Sequence, residues 1–387
     1  MKVLHIASWY PHSKDPFDGD FVQRHAQALS LYMRVDVIHV VQQFHLLQGE
    51  EGHVEEMNDG NLFSKVFFPA FPKTKNRFLQ KLMFAGTYNQ AMRKALHQYL
   101  QDHGKPDLVH VHVPVKAGYA ALYLKKKLGI PFVVTEHSSA YFVGTANNYF
   151  EASRYFRFIT RQSFEQAAMV SSVSNWLLNH LNELFAISNT RLVRNVVNTK
   201  LFYPVTKTGT KKRFLHVSMM FPMKNVEGII DALYLLQRQT QDWEMVFVGN
   251  AGEALQQKAK GLGHQVHWTG TLSYAAVAGE MQAADALIHF STYENLPCVI
   301  NEALCCGVPV ISSRVGGIDE LVNETNGILV ESSNTQALVN AMMMFLQQPD
   351  RFNKTTISNH AIARFSYEAV GKQLLDMYVE VLGKKSS

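Results

Sequence analysis

Two glutamates, Glu294 and Glu302, flank the predicted start of a helix and carry the chemistry that this sequence most clearly suggests. Pro297 lies between them, and proline favours the first helical turn because it has no backbone N–H to satisfy. If both glutamates were helical, they would lie about 12 Å apart along the axis and roughly 80° apart around it. That separation is too large for a shared proton. We therefore interpret them as two separate hydrogen-bond acceptors, with Glu294 in a loop and Glu302 inside the helix.

The flanking sequence suggests what these acceptors bind. Ile288–Phe290 end an apolar strand, Gly307 and Pro309 stop the helix, and Val308–Ser312 form the next strand. The helix N-terminus then lies at the carboxyl edge of a parallel sheet, where free N–H groups and the helix dipole bind anions. Because carboxylates repel a phosphate, their partners are hydroxyl groups. Hydroxyls beside a phosphate describe a sugar nucleotide.

The elements that position this site are apolar runs separated by helical patterns. At 387 residues, the chain is long enough for two domains. The alternation of strand and helix predicts an α/β fold with parallel sheets. The predicted strands include Val3–Ala7, Val35–Val41, Leu108–Val113, Pro131–Thr135, Met169–Ser174, Phe214–Val217, Glu244–Gly249 and Val266–Gly270. The polar run Thr206–Lys212 has little to bury and is the predicted linker.

Composition excludes several classes of protein. A hydrophobic content of 47% with 18% charged residues is typical of a globular chain with a large core, not of a disordered one. The net charge of +5 is mild, and no motif supports nucleic-acid binding. Three cysteines, Cys298, Cys305 and Cys306, have no metal-ligand spacing and predict a reducing compartment. The N-terminal apolar run is too short to span a membrane and is interpreted as a strand.

The segment S-x-x-E-N-L-P-x-x-x-x-E-A-x-x-x-G-x-P-V-I-x-S-x-x-G-G, from Ser291 to Gly317, resembles the donor site of the retaining family 4 glycosyltransferases. The resemblance implies the GT-B fold: two Rossmann-like domains facing across a cleft, with a C-terminal helix crossing back to the first domain. The implied bounds are 1–205 for the acceptor-side domain, 206–365 for the donor domain and 366–387 for the returning helix. It also implies an enzyme that needs no metal or other cofactor, its co-substrate being a UDP- or GDP-sugar.

The same resemblance assigns roles to individual residues. Lys224 would bind the donor diphosphate, Glu302 the ribose hydroxyls and Glu294 the hydroxyls of the transferred sugar. His137, which follows the strand Pro131–Thr135, would lie near the sugar ring and assist turnover, so the candidate catalytic residues are His137, Glu294 and Lys224. Gly19, in the loop after the first strand, is a candidate for donor binding, with a simple turn as the alternative.

The remaining candidate donor contacts are backbone groups. Gly249 and Leu272 follow two strands and would face the nucleotide base. The loop that carries Glu294 would place its own backbone against the donor at Asn295, Leu296, Pro297 and Cys298.

One departure from the family pattern leaves other functions open. The family has an arginine where this chain has Met219, and a thioether cannot donate a hydrogen bond to a phosphate. A non-catalytic nucleotide-sugar-binding subunit is therefore one alternative, and a nucleotide-sugar epimerase or hydrolase is another. The expected reaction is transfer to a glycan or lipid-linked acceptor, in bacterial surface polysaccharide or glycolipid synthesis.

Two stretches combine aromatic and basic residues. Asn61–Lys81 contains five phenylalanines and five cations without an acidic residue, and Arg154–Arg161 has a similar composition. Such mixtures suit a membrane interface, and the alternative is a structured segment with buried rings and solvated cations. The expected location is the cytoplasm, with peripheral contact at the inner face of the membrane.

Overall fold

The computed structural model describes residues 1–42, 45–47, 49–71, 73–143, 145, 148–206 and 211–383. The chain divides into two compact units. Unit 1 comprises Met1–Val173, Leu177–Val196 and the residues from Val370 onward, and unit 2 comprises Ser174–Trp176 and Val197–Ala369. Within the predicted linker Thr206–Lys212, residues 207–210 lie outside the described residues.

Unit 1 contains an eight-stranded sheet with the order β3-β4-β2-β1-β5-β6-β7-β8. All neighbouring strands are parallel except β3 and β4, which are antiparallel. The strands are β1 (Val3–Ala7), β2 (Val35–Val40), β3 (His53–Asp59), β4 (Leu62–Phe68), β5 (Leu108–His112), β6 (Phe132–Glu136), β7 (Met169–Ser172) and β8 (Thr190–Leu192).

Burial explains this strand order. Every residue of β1, β2, β5, β6 and β7 is buried, as expected for central parallel strands covered by helices on both faces. Strand β3 is almost wholly exposed and carries Glu55, Glu56 and Asp59 at the sheet edge, where charges discourage pairing with another chain. This edge strand was not predicted, because it has no apolar run.

The helices of unit 1 include the C-terminal one. They are α1 (Asp20–Ser30), α2 (Arg77–His103), α3 (Pro114–Leu128), α4 (Arg154–Gln166), α5 (Asn175–Leu184) and α12 (Tyr367–Val381). Of the last two, unit 1 includes α5 from Leu177 onward and α12 from Val370 onward. A Cβ at Gly371 would lie 2.2 Å from the carbonyl oxygen of Ala28, so α12 packs directly on α1. The buried Tyr378 hydroxyl lies 3.0 Å from His5 Nε2 and 2.5 Å from His110 Nδ1.

Unit 2 has a six-stranded, fully parallel sheet with the order β11-β10-β9-β12-β13-β14. Its strands are β9 (Lys212–Val217), β10 (Trp243–Val248), β11 (Val266–Gly270), β12 (Ala286–His289), β13 (Val310–Ser313) and β14 (Gly327–Val330). Its helices are α6 (Val226–Gln237), α7 (Glu253–Ala259), α8 (Tyr274–Ala283), α9 (Cys298–Cys305), α10 (Thr335–Gln347) and α11 (Lys354–Phe365).

The strand order of unit 2 reverses between β9 and β12. In open α/β sheets, ligands bind at the carboxyl ends of the strands at such a switch point. The loops that leave β9 and β12 therefore form the place to look for a ligand in this unit. In unit 1 the corresponding reversal lies between β1 and β5.

Local predictions need three corrections. Pro297 is the N-cap residue of α9 and not its first helical residue, and no side chain caps this helix. The strand that was predicted over Met169–Ser174 ends at Ser172. The long helix α2 was not predicted. Among the described residues, we find no helix that combines the length and the apolarity needed to cross a bilayer.

Candidate functional site

The loops after β9 and β12 are joined at the switch point of unit 2. The Thr292 N–H donates to the Met223 carbonyl at 2.8 Å, which ties the two loops together through their main chains. Lys224 follows Met223 in a single 3₁₀ turn, Pro222–Lys224, and Asn225 then caps α6 by accepting from the Gly228 N–H. The turn and the cap hold the lysine at the carboxyl edge of the sheet.

Glu294 is the centre of a polar cluster at this edge. Its Oε1 accepts from Lys224 Nζ at 2.5 Å and from Ser291 Oγ at 2.8 Å, and it lies 2.9 Å from His289 Nε2. Its Oε2 accepts no hydrogen bond from the described residues. The cluster thus holds one carboxylate oxygen and leaves the other for a ligand.

These partners keep Glu294 ionised although it is only 9% exposed. Burial alone would raise the pKa of the carboxyl, but the hydrogen bond and charge of His289 and the ammonium of Lys224 outweigh it. The result is a pKa of about 2. Glu294 is therefore a fixed anion at neutral pH, suited to accepting hydrogen bonds from hydroxyl groups and not to donating a proton.

Gly316 and Gly317 form the turn that supports the Glu294 loop. Gly316 has φ +58°, and a Cβ there would lie 1.9 Å from the Glu294 carbonyl oxygen. The Gly317 N–H donates to the Asn295 carbonyl at 2.9 Å. Only glycine satisfies both the left-handed conformation and the close approach. The Gly-Gly signal therefore has a structural reason: the turn supports the backbone of the acidic loop.

Glu302 lies in α9 and is 6% exposed. Tyr274, at the start of α8, donates its hydroxyl to Glu302 Oε1 at 3.0 Å. The predicted helix and loop assignments of the two glutamates are confirmed, since Glu294 precedes α9 and Glu302 lies within it. Their roles toward a donor stay predictions.

The other predicted donor residues of unit 2 lie in the loops around this cluster. Gly249 follows β10 with φ +134°, and a Cβ there would lie 1.9 Å from the Ser218 carbonyl oxygen, so close packing already requires glycine. Leu272 is half-buried after β11, and Met219 is 64% exposed. In the loop that leads into α9, Asn295, Leu296 and Pro297 are buried. Cys298, the first residue of α9, is half-buried.

Gly19 belongs to unit 1, where its backbone has a clear structural role. It is the N-cap of α1 with φ +63°, and a Cβ there would lie 2.5 Å from the Trp9 carbonyl carbon. Its donor contact stays a prediction. Arg24, one turn further along, is 6% exposed and donates to Asp20 Oδ2 at 2.9 Å.

His137, also in unit 1, is held among other rings. Its backbone N–H donates to the buried Glu136 Oε1 at 2.9 Å, and its Nε2 lies 3.4 Å from His112 Nδ1. Its ring centroid is 4.7 Å from that of Phe21. Burial, followed by the charge of His25, lowers the pKa of His137 well below its usual value. His137 is thus neutral at pH 7, and its catalytic role stays a prediction.

The two aromatic and basic stretches have different surroundings. In Asn61–Lys81, the rings of Phe67, Phe68 and Phe71 are buried, which agrees with the alternative of a structured segment. The side chains of residues 77, 78 and 81 lie outside the described part of the structure. In contrast, Tyr155 and Phe158 on α4 are 53% and 59% exposed.

Sequence reasoning missed three polar partners of the acidic pair: His289, Ser291 and Tyr274. His289 and Ser291 precede Glu294 by five and three residues, within the segment already singled out. A polar residue at the end of an apolar strand was the available signal. For Tyr274, which lies 28 residues from Glu302 in the chain, the sequence offers none.

The two sheets and their switch points define the GT-B class of glycosyltransferase. Residues 55–201 match the family described as Glycosyltransferase Family 4, and residues 198–361 match Glycosyl transferases group 1. The chain belongs to the family 4 (group 1) glycosyltransferases. It is a glycosyltransferase that uses a nucleotide sugar, as predicted from the segment around Glu294 and Glu302.

Named relatives and solved structures are similar over most of the chain. A putative teichuronic acid biosynthesis glycosyltransferase, TuaC of Bacillus subtilis, is 26% identical over 96% of this chain and 94% of its own. The N-acetyl-alpha-D-glucosaminyl L-malate synthase of Bacillus anthracis is 24% identical over 71% and 75%.

Among structures, sucrose-phosphate synthase of Thermosynechococcus elongatus has a TM-score of 0.75 at 21% identity, covering 99% of this chain and all of that one. Anabaena HepE in complex with UDP has a TM-score of 0.72 at 19% identity, covering 98% and 100%. These likenesses support the fold.

Proposed function

We propose that this protein transfers a sugar from a UDP- or GDP-sugar to a glycan or lipid-linked acceptor with retention of anomeric configuration. The observation that carries the proposal is the cluster in which Lys224, His289 and Ser291 converge on one oxygen of Glu294. It fixes an anion and a cation side by side at the carboxyl edge of the sheet. A sugar diphosphate needs both an acceptor for its hydroxyls and a positive charge for its phosphates.

Each of these groups contacts a different part of the donor. The free Oε2 of Glu294 accepts a hydroxyl of the transferred sugar, and Glu302, oriented by Tyr274, accepts the ribose hydroxyls. Lys224 contacts the diphosphate together with backbone N–H groups of the loop that leads into α9. Positive charge then lies where negative charge grows as the leaving group departs, which is the usual form of electrostatic catalysis.

The transfer proceeds without a protein nucleophile. The bond from the anomeric carbon to the diphosphate oxygen breaks, and an oxocarbenium-like centre develops. The acceptor oxygen forms the new bond on the same face, and its proton passes to the departing phosphate. The name of the Bacillus anthracis relative describes an alpha-glucosaminyl product. This accords with retention, and the anomeric proton coupling of the product, read by NMR, tests it.

We also propose that the transfer needs no metal ion. In the described part of unit 2, no group of three or more His, Cys, Asp or Glu side chains could hold one. The positive charge beside the diphosphate comes instead from the Lys224 ammonium and from the amino end of α9, which carries a partial positive charge. Full transfer activity without added Mg²⁺ or Mn²⁺, at a donor concentration well below KM, is the expected result.

The central test combines donor binding with turnover. A panel of UDP- and GDP-sugars is screened by thermal shift, because a ligand that binds the folded state raises the melting temperature. With the donor so identified, Glu294→Gln is expected to lower transfer at least about 100-fold, since loss of an anchoring charge at the transition state is worth about 3 kcal/mol. Full activity of Glu294→Gln would overturn the assignment.

A matched control keeps this test specific. Lys258→Ala removes a lysine from an ion pair with Asp231, at 2.9 Å, on the exposed faces of α6 and α7. It is expected to leave donor binding and transfer unchanged, whereas Lys224→Ala lowers both. Equal losses in the two lysine variants would mean that charge in general, and not the position of Lys224, supports the donor.

The exposed Met219 favours a second candidate, a non-catalytic subunit that binds a nucleotide sugar. It stands where the family has an arginine and donates no hydrogen bond. Tight donor binding without nucleotide release, in the presence of acceptor-containing extracts, would support this candidate. A changed or free sugar without acceptor would instead indicate epimerisation or hydrolysis.

We further propose a peripheral contact with anionic membranes through α4. Its exposed Tyr155 and Phe158 lie beside the exposed Arg154 and Arg161, so rings and cations occupy one helix. Such a contact fits a lipid-linked acceptor and a role in surface polysaccharide or glycolipid synthesis. Flotation with anionic vesicles should fall in a variant with both aromatic residues changed to serine. The control Tyr203→Ser, at a site 45% exposed in unit 2, should float like the wild type.

A further inference from the structure

A cluster of metal-ligand atoms lies in unit 1, outside the groups used above. His12 and Asp18 come from the loop between β1 and α1, and His39 comes from β2. One ligand atom from each of the three lies within 4.8 Å of those of the other two. His12 Nε2 is 3.8 Å from Asp18 Oδ2. The fold brings these residues together because β1 and β2 are parallel neighbours.

The ligand atoms of this cluster are buried and lack hydrogen bonds. His12 Nε2, Asp18 Oδ2 and His39 Nε2 have no hydrogen-bond partner among the described residues, although the side chain of His12 is fully buried and His39 is 0% exposed. Buried polar atoms in folded proteins almost always have a partner, so three orphans facing one another need an explanation.

The tautomer of His39 points to a cation. Its Nδ1 lies 3.0 Å from the Ala7 carbonyl oxygen, which can only accept, so Nδ1 carries the proton and Nε2 carries a lone pair. A metal-bound histidine typically donates its other N–H to a carbonyl in this way. The arrangement presents an unprotonated nitrogen to the cluster.

We propose that His12, Asp18 and His39 bind a transition-metal ion of the zinc class, with His45 as the fourth ligand. His45 Nε2 lies 3.6 Å from Asp18 Oδ2, and its ring centroid is 4.8 Å from that of His12. Imidazole nitrogens with one carboxylate are ligands that zinc accepts. Ligand atoms around tetrahedral zinc lie about 3.3 Å apart, so small side-chain movements complete the shell.

A neighbouring histidine group of unit 1, formed by His5, His110 and His112, is less suited to a metal. His5 Nε2 and His110 Nδ1 both contact the Tyr378 hydroxyl, and His110 Nε2 lies 2.6 Å from Thr135 Oγ1. These nitrogens already have partners. The proposed site is also structural in kind: it ties the loop that ends at Gly19, the residue after Asp18, to β2. A metal there fixes the start of α1.

The test measures metal binding directly and needs no donor or acceptor. The purified full chain is stripped with a chelator and titrated with ZnCl₂ or CoCl₂. We expect one equivalent of zinc per chain by elemental analysis, a raised melting temperature, and the visible spectrum of four-coordinate cobalt. X-ray absorption of the zinc-loaded wild type should show imidazole and carboxylate ligands at about 2.0 Å.

Matched variants in one loop locate the site. Asp18→Asn is expected to weaken zinc binding at least tenfold and to remove most of the thermal shift, whereas Asp15→Asn, three residues earlier, should keep both. Binding of less than about a fifth of an equivalent by the wild type would overturn the proposal. So would unchanged binding by Asp18→Asn, because the metal would then occupy another histidine group. If Asp18→Asn does not fold, the ligand set seen by X-ray absorption in the wild type decides.

Discussion

The coupling of Glu294 to its cations can be measured as a pH-dependent stability. The perturbation is Glu294→Gln, which keeps the shape of the side chain and removes its charge. In the wild type the pKa of Glu294 is held at about 2, against 4.5 for the free side chain. At about 1.4 kcal/mol per unit, this shift stabilises the folded chain by about 3 kcal/mol at pH 7.

The sign follows from the direction of the shift. A lowered pKa contributes stability above the unfolded pKa, and that contribution is lost as the pH falls from 4.5 toward 2. At pH 3 the linkage relation leaves about 1 kcal/mol. The difference in free energy of unfolding between wild type and Glu294→Gln should therefore shrink by about 2 kcal/mol between pH 7 and pH 3.

The assay is urea denaturation at a series of pH values, with each variant referred to the wild type. Glu280→Gln serves as the control, because Glu280 also pairs with a cation, Arg213, but both side chains are 24% exposed and screened by solvent. A Glu294→Gln difference that stays constant across this pH range would refute the reasoning. It would mean that Lys224 and His289 do not stabilise the carboxylate.

Two further predictions concern donor binding. Met219→Arg, at a site 64% exposed, should tighten binding of the nucleotide diphosphate about 10- to 100-fold, since a charge-assisted hydrogen bond is worth about 1.5–3 kcal/mol. Calorimetric titration of the nucleotide diphosphate checks this. An equal gain in affinity in Phe221→Arg would contradict it. Gly316→Ala should displace the Glu294 carbonyl and weaken donor binding as well as stability. Gly270 has φ +72° but open space for a Cβ, so Gly270→Ala should lose only about 1 kcal/mol of stability and bind the donor normally. Equal donor binding by the two alanine variants would mean that the contact between Gly316 and the Glu294 carbonyl does not support the donor.

Residues with strong local signals were predictable. The strands Val3–Ala7 and Val266–Gly270 have the predicted bounds, because an apolar run is a property of neighbouring residues. Gly307, with φ +71°, ends α9 as expected. The same locality explains the success with Glu294 and Glu302, whose loop and helix assignments follow from Pro297 between them.

Other features had no local signal. The edge strand β3 has no alternation of apolar and polar residues. Its place beside β4 depends on an antiparallel hairpin. By composition alone, the phenylalanines of Asn61–Lys81 resemble a membrane-binding motif. In the folded chain, several of these rings are buried. Burial depends on which elements pack together, and composition does not specify that.

The sequence by itself determined the family, the alternation of strands and helices, and the loop that carries the acidic pair. Only the tertiary structure decided that Lys224 meets Glu294 across 70 residues and that Tyr274 orients Glu302. It also decided that His12, Asp18 and His39 converge, although their spacing matches no metal motif and the sequence predicted no metal ligand. The physical reason is the parallel sheet, which brings residues at the ends of neighbouring strands together whatever length of chain separates them.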